Sequence, residues 1–250
     1  FPVAMLLRFI ADGIATGITT LTSHALGRSD RPGASLFLTH GMILIMLVSA
    51  AIAIAGFLTV DPLFRVLGAD DRVLPLIRGY MLPWYAGAVF MALPMMGNGI
   101  LISLGESKTA SLMMVGGALL NCVLDPIMIF GWLGCPALGI LGASLATVIA
   151  QTVVTVLLLR LLTVRHRLLR LRRPKISLFA SSCRRITGFA VPGSISMMLM
   201  PFSAAVIIAL VSRWGNNAVA AVSAAARVET FSFVIPMALG MSLVPFVSQN

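Results

Sequence analysis

Three carboxylates lie inside long apolar stretches of the sequence, and they are the first candidates for chemistry: Asp12, Asp125 and Glu229. An ionised carboxylate at the centre of a bilayer costs at least about 2.5 kcal/mol, so it normally faces a protein interior or a water-filled cavity. Asp125 has the most informative neighbour. Asn121 precedes it by one helical turn, so the amide and the carboxylate share a helix face and can bond to each other or to a cation.

The other in-span charges have partners that favour a structural role. Arg8 lies one turn before Asp12 on the same face, and we expect this pair to neutralise itself and hold helices together. Arg227 and Glu229 are two residues apart and point in different directions, so we expect each to pair with another helix. Asp125 also has a structural interpretation, since it could cap the loop before Pro126. We favour the cation site for Asp125.

Composition places the chain in a membrane. The sequence is 59% hydrophobic with a mean hydropathy of +1.02, and only 10% of its residues are charged, against about 25% in a soluble domain. The net charge of +10 is concentrated between apolar stretches without interleaved aromatic residues, which argues against nucleic acid. No nucleophile–base pair and no His or Cys spacing typical of a metal site appears. We therefore expect neither an enzyme nor a metal centre.

Apolar stretches near the ~20 residues that span a bilayer as a helix predict an all-α, polytopic fold. The predicted spans are 2–25, 36–60, 80–104, 109–130, 138–159, 188–211 and 218–247. Small residues at Gly13 and Gly17, and at Gly139, Gly142, Ala143 and Ala146, predict close helix packing.

Charge asymmetry predicts the orientation. Residues 160–185 contain nine of the eighteen Lys and Arg, and the side with 26–35, 105–108 and 160–187 carries twelve against four on the other side. The richer side is retained in the cytoplasm. Leucines between the basic residues of 163–185 predict an amphipathic segment on the inner membrane surface, in contact with anionic lipid headgroups. The first span then runs inward, and both chain ends look cut, so we expect an internal piece of a longer protein.

The residues between 97 and 151 carry a specific resemblance. Leu104-Gly-Glu-Ser-Lys108, Asn121-Cys-Val-Leu-Asp-Pro126 and Leu138-Gly-Ile-Leu-Gly-Ala-Ser-Leu-Ala-Thr147 resemble the multidrug and toxic compound extrusion (MATE) transporters, as does Trp214-Gly-Asn-Asn217. The resemblance implies two six-helix bundles with alternating access. The chain would then cover helices two to eight, with an N-terminal bundle at 1–160, a basic cytoplasmic loop at 161–187 and the start of a C-terminal bundle at 188–250.

The resemblance also implies a function. Asn121 and Asp125 match a cation site of the N-terminal bundle, to which Thr147 adds a hydroxyl, while 188–211 contains no acid for a site in the C-terminal bundle. The expected activity is H⁺- or Na⁺-coupled export of organic, cationic drugs or metabolites by a plasma (inner) membrane protein. We expect a monomer that binds small molecules and needs no cofactor beyond the ion. A lipid-linked oligosaccharide flippase of the same superfamily is the alternative.

Overall fold

The computed structural model describes residues 2–66, 71–169 and 176–215, together with single helical positions between 218 and 239. The described residues form helices joined by short turns, with no strand among them, which confirms the all-α prediction. In chain order the α-helices are α1 (Pro2–Gly27), α2 (Arg31–Val66), α3 (Leu74–Ala86), α4 (Ala88–Ser103), α5 (Ser107–Phe130), α6 (Ile140–Arg160) and α7 (Ile176–Val211).

Three of the described helices are long and apolar enough to cross a bilayer: α2, α5 and α6 with its extension to Arg165. The pair α3 and α4 makes a fourth span that is bent by 52°. α1 and α7 are helical where two further spans were predicted, although they are not among the helices that meet both criteria. The last predicted span, 218–247, lies largely outside the described residues.

The third predicted span, 80–104, is wrong in shape. The helix begins earlier, at Leu74, and breaks at Gly87. Pro94 removes a backbone donor from α4, and the hydroxyl of Thr155 donates to the carbonyl of Phe90 at 2.9 Å, which is the acceptor that Pro94 leaves free. A neighbouring helix therefore stabilises the irregular backbone, as membrane interiors require.

The core lies between α1, α2, α4 and α6, with α7 closing one side. Deeply buried apolar side chains from these helices pack together, and within a bilayer this packing is stabilised by van der Waals contact and not by removal from water. Polar side chains such as Thr22, Thr39 and Thr155 are buried on the same helices. The largest fully buried apolar members are Ile18, Leu38, Ile45, Met96, Ile100, Leu101, Leu158, Leu162 and Ile186.

Close packing of α1 against α7 confirms the role predicted for Gly13 and Gly17. A Cβ on Gly13 would lie 2.8 Å from the carbonyl oxygen of Ala190, and one on Gly17 would lie 2.6 Å from that of Ile186. Ser194 adds a hydrogen bond from its hydroxyl to the carbonyl of Phe9 at 3.2 Å. The seam between α1 and α7 therefore depends on the absence of side chains.

The start of the predicted basic loop also differs from the expectation. Leu168 and Leu169 are buried in the core instead of lying on a membrane surface. Arg167, at φ 51°, turns the chain so that the Leu168 N–H donates to the carbonyl of Leu162 at 3.0 Å. Apolar burial decides this fold, because two leucines gain more in the core than at the interface. α7 then begins at Ile176, within the range predicted to be loop.

An ion pair fixes the same segment to the turn before α5. Arg165 Nη2 lies 3.0 Å from Oε1 of Glu106, and His166 Nε2 lies 3.3 Å from the same oxygen. Glu106 is only 18% exposed, so the pair is less screened than a surface pair would be. These contacts join the end of α6 to the α4–α5 turn.

Candidate functional site

Asn121, Asp125 and Thr147 come together between α5 and α6. The Asn121 side-chain amide donates to Asp125 Oδ1 at 3.3 Å and to Thr147 Oγ1 at 3.4 Å. Thr147 in turn donates to the carbonyl of Ala143 at 3.0 Å. All three side chains are partly buried. Carboxylate, amide and hydroxyl oxygens are the ligands that hard cations prefer, so the group has the donors of a small cation site.

Two features of the sequence bring α5 and α6 close enough for this group to form. Gly131 ends α5 in the left-handed region at φ 76°, a conformation that glycine adopts without a steric cost. After the turn, Gly142 packs on the backbone of α5, where an added Cβ would meet the carbonyl of Met128. The close approach sets Thr147 opposite Asn121. Gly142, on the predicted small-residue face of α6, therefore allows α6 to pack closely against α5.

A cavity of about 370 Å³ lies on the other side of Thr147. Its wall combines two aromatic rings, four methionines, two carboxamides and one carboxylate. Met side chains adapt to irregular ligands, and aromatic rings offer flat faces to ring systems and cations. The residues that give the wall this character are Asp12, Tyr80, Trp84, Met91, Met95, Asn98, Met113, Met114, Thr147 and Gln151.

Asp12 is the site residue whose position the sequence reasoning missed. Its predicted pairing with Arg8 stays a prediction, because the side chain of Arg8 lies outside the described residues, but Asp12 is 8% exposed and lines the cavity. Asn98 also lines the cavity, and its Oδ1 has no hydrogen-bond partner among the described residues. Burial of an unpaired acceptor costs about 1–3 kcal/mol, so a donor on a bound molecule would be favoured there. No spacing in the sequence relates Asp12 to Asn98.

The structure describes only some of the other charged residues that the sequence analysis singled out. The side chain of Arg8 and the whole of Arg227 lie outside the described residues, while Glu229 is helical and exposed. Their predicted structural roles stay predictions. Within the described residues, no three His, Cys, Asp or Glu side chains gather in a group that could hold a metal ion.

Comparison with known proteins identifies the family. The family model MatE matches residues 1–127 and 192–250. The chain belongs to the MatE family. An FAD transporter of Shewanella oneidensis is 34% identical over 250 residues, which is 100% of this chain and 55% of the relative. The multidrug export protein MepA of Staphylococcus aureus is 24% identical over 256 residues, covering 100% of this chain and 54% of the relative.

A solved structure supports the same assignment. The MATE transporter VcmN of Vibrio cholerae, in its bent form, superimposes with a TM-score of 0.88 at 28% identity, covering 99% of this chain and 55% of that one. The chain thus spans about half the length of the relatives that it matches. Membership in the MatE family confirms the resemblance in the sequence and makes this an integral membrane protein.

Proposed function

We propose that the chain is part of a cation-coupled antiporter that exports organic, cationic compounds across the plasma (inner) membrane by alternating access. One observation carries the proposal: Thr147 contacts Asn121 of the predicted cation site and lines the cavity. An ion and a substrate that share a residue influence each other's affinity, and this coupling is what antiport requires. The expectations of no cofactor, of a non-enzymatic protein and of a monomer belong to the same proposal.

The cavity suits lipophilic cations. Asp12 supplies a carboxylate, while Tyr80 and Trp84 supply rings that attract a cation by about 0.5–2 kcal/mol each. Among its described lining residues there is no Lys or Arg. A lipid-linked oligosaccharide carries a pyrophosphate, which cationic residues would have to neutralise. This lining therefore favours the exporter over the flippase alternative.

The energy available from one coupling ion depends on the charge of the substrate. A monovalent cation entering down a potential of about 100 mV releases about 2.3 kcal/mol. That free energy corresponds to a roughly fifty-fold gradient of a neutral substrate, since 1.4 kcal/mol is a factor of ten. For a monovalent cationic substrate, one-for-one exchange moves no net charge, so its export would draw on the concentration gradient of the ion held by Asp125, Asn121 and Thr147 instead of on the membrane potential.

The test is Asp125→Asn in the full-length protein, measured as efflux of a fluorescent organic cation from vesicles with an imposed pH or sodium gradient. We expect gradient-driven efflux to be lost while substrate binding survives, because the substitution removes the ion's charge partner and leaves the cavity intact. Asn121→Ala should weaken coupling less, because it removes a ligand without the charge.

The matched control is Asp71→Asn, which removes an exposed carboxylate that is paired with Arg65 outside the site. Its efflux should equal that of the unmodified protein. Asp12→Asn is a second comparison: it should weaken binding of the cation substrate, because it alters the cavity wall, and leave ion dependence in place. Undiminished gradient-driven efflux by Asp125→Asn would remove the ion-site assignment.

A flavin dinucleotide is the second candidate substrate. The 34% identical relative is an FAD transporter, and Trp84 with the carboxamides of Asn98 and Gln151 would suit stacking and hydrogen bonding to a flat heteroaromatic ring. FAD also carries a pyrophosphate, for which the described lining offers no Lys or Arg, so the organic cation stays the first candidate. The same vesicles loaded with FAD distinguish the two. Gradient-dependent loss of FAD without loss of organic cations would assign the dinucleotide.

A further inference from the structure

A second crevice, of about 330 Å³, lies at the cytoplasmic end of α1 as the charge asymmetry orients the chain. Three of its lining side chains carry or can carry positive charge: Arg28 and His24 near the end of α1, and Arg185 on α7. None of these residues has a role in the cation site or the cavity. The crevice is thus a separate site with its own chemistry.

The crevice has more positive than negative side chains, so its charge favours binding of an anion. Its one acid, Asp30, accepts a hydrogen bond at Oδ1 from the Gly33 N–H at 2.9 Å and keeps its negative charge, so the two arginines leave the lining with an excess of positive charge. Arg28 and Arg185 are both exposed, and among the described residues neither forms an ion pair with Asp30. Two guanidinium groups present planar forks that match the oxygens of a phosphate.

The floor of the crevice is apolar. Leu21, Ala25 and Phe37 complete the lining, and a free phosphate would gain nothing from them. A phospholipid would, because the glycerol and first methylenes of its chains bury apolar surface beside the charged headgroup. The position agrees with this, since anionic headgroups of the inner leaflet lie at the cytoplasmic ends of spanning helices.

We propose that this crevice binds the headgroup of an acidic phospholipid, with Arg28 and Arg185 on its phosphate. Arg28 directly follows α1 and Arg185 lies on α7, and these two helices meet at the glycine seam. A bound headgroup therefore holds the cytoplasmic ends of these helices together. The lipid acts as a clamp on the seam, independently of which substrate the cavity takes.

The test measures retention of phosphatidylglycerol against phosphatidylcholine by the purified full-length protein, using native mass spectrometry. Arg28→Gln with Arg185→Gln should weaken the apparent affinity for phosphatidylglycerol by about tenfold or more, as expected on loss of charge-assisted hydrogen bonds. The matched control is Arg184→Gln, an exposed arginine next along α7 that does not line the crevice. It should retain the lipid like the unmodified protein.

A double lysine variant separates the effect of the positive charge from that of the hydrogen-bonding geometry of the guanidinium group. It also controls for a folding defect. Arg28→Lys with Arg185→Lys keeps the charge and loses the forks, so its affinity should fall between those of the unmodified protein and the Gln pair. Equal loss in the Arg184→Gln control, or no preference for phosphatidylglycerol, would overturn the proposal. So would displacement of the lipid by millimolar inorganic phosphate, which would make the site one for free anions.

A distance measurement tests separately whether the bound lipid holds α1 and α7 together. Spin labels on cysteines at exposed Ser29, in the turn that follows α1, and at exposed Ser181 of α7, with the native cysteines replaced by serine, report the separation between α1 and α7 at this end. Phosphatidylglycerol should narrow the distance distribution in the unmodified protein and leave that of the Gln pair unchanged. An equal response in both would overturn the clamp.

Discussion

Thr147 is the residue on which the proposed coupling depends most directly. Its hydroxyl accepts from the amide of Asn121 at 3.4 Å, and its side chain also forms part of the cavity wall. The hydroxyl carries no charge, so its contribution can be removed without disturbing the electrostatics of Asp125. This makes Thr147 a cleaner probe of communication between ion and substrate than either neighbour.

Thr147→Val should reduce gradient-driven efflux by a few-fold, because it keeps the shape and removes one hydrogen bond worth about 0.5–1.5 kcal/mol. Substrate affinity should also lose most of its dependence on the coupling ion, measured as substrate binding with and without sodium or at two pH values. Thr147→Ser restores the hydroxyl and should restore both. Normal ion dependence of binding in Thr147→Val would contradict the shared role of this residue.

The sequence allowed part of this residue-level arrangement to be predicted. Asn121 and Asp125 are one helical turn apart, so their contact follows from helix geometry alone, and Thr147 was added through the resemblance to MATE transporters. Asp12 and Asn98 could not be placed in this way. They lie on different helices, α1 and α4, and only the tertiary packing brings both to one cavity.

At the level of helices, the seam between α1 and α7 combines small residues with specific polar contacts. His40 of α2 extends it, since His40 Nδ1 lies 2.9 Å from the Ser182 hydroxyl and its ring meets Phe179 edge-on. The Ser182 hydroxyl donates to the carbonyl of Leu178 at 3.0 Å, so it accepts from His40. The contact of His40 with Ser182 and Phe179 has a defined geometry, so its hydrogen bond and its ring contact form or break together.

Gly17→Leu should push α1 and α7 apart, because the added Cβ alone would meet the carbonyl of Ile186 at 2.6 Å. Overpacking of this kind costs about 1–3 kcal/mol, and a lower thermal unfolding midpoint of the purified full-length protein would report it. Gly116→Leu is the matched control, since an added Cβ there has nothing within 4 Å. Equal midpoints for the two variants would show that the seam does not need its glycines.

Helix positions were easier to predict than helix shape. Runs of apolar residues gave α5 and α6 nearly to their ends, because length and hydropathy decide whether a helix spans a bilayer. The bend at Gly87 has no comparable signal: Pro83 and Pro94 each permit a kink, but where the helix breaks depends on packing. A Cβ at Gly87 would lie 2.6 Å from Val148 Cγ1, so α6 approaches the chain closely at the break.

For the whole molecule, orientation is the property that the charges predict and that labelling can test. The native Cys135 is exposed in the turn between α5 and α6, on the side predicted to face outward. In a variant that retains only this cysteine, a membrane-impermeant maleimide should label intact cells. A single cysteine at exposed Lys108 should react only after permeabilisation. Labelling of both from the same side would contradict the predicted topology.

The inter-bundle loop, 161–187, shows what amino-acid composition cannot predict about the whole molecule. Its basic residues predict a polar environment, but the same stretch contains Leu168 and Leu169, which are buried. Composition could not distinguish leucines that face lipid from leucines that fold back on the protein. The burial of the two leucines is accompanied by the contacts of Glu106 with Arg165 and His166, which depend on a turn some sixty residues earlier in the chain.

The break at Gly87 has a consequence for how selectivity can evolve. It divides one span into two rigid pieces, so Tyr80 and Trp84 lie on one piece while Met95 and Asn98 lie on the other. A substitution that tilts the first piece need not move the second. Natural or laboratory selection can therefore change the preference for ring systems and the preference for hydrogen-bonding groups in separate steps, each starting from a protein that still folds.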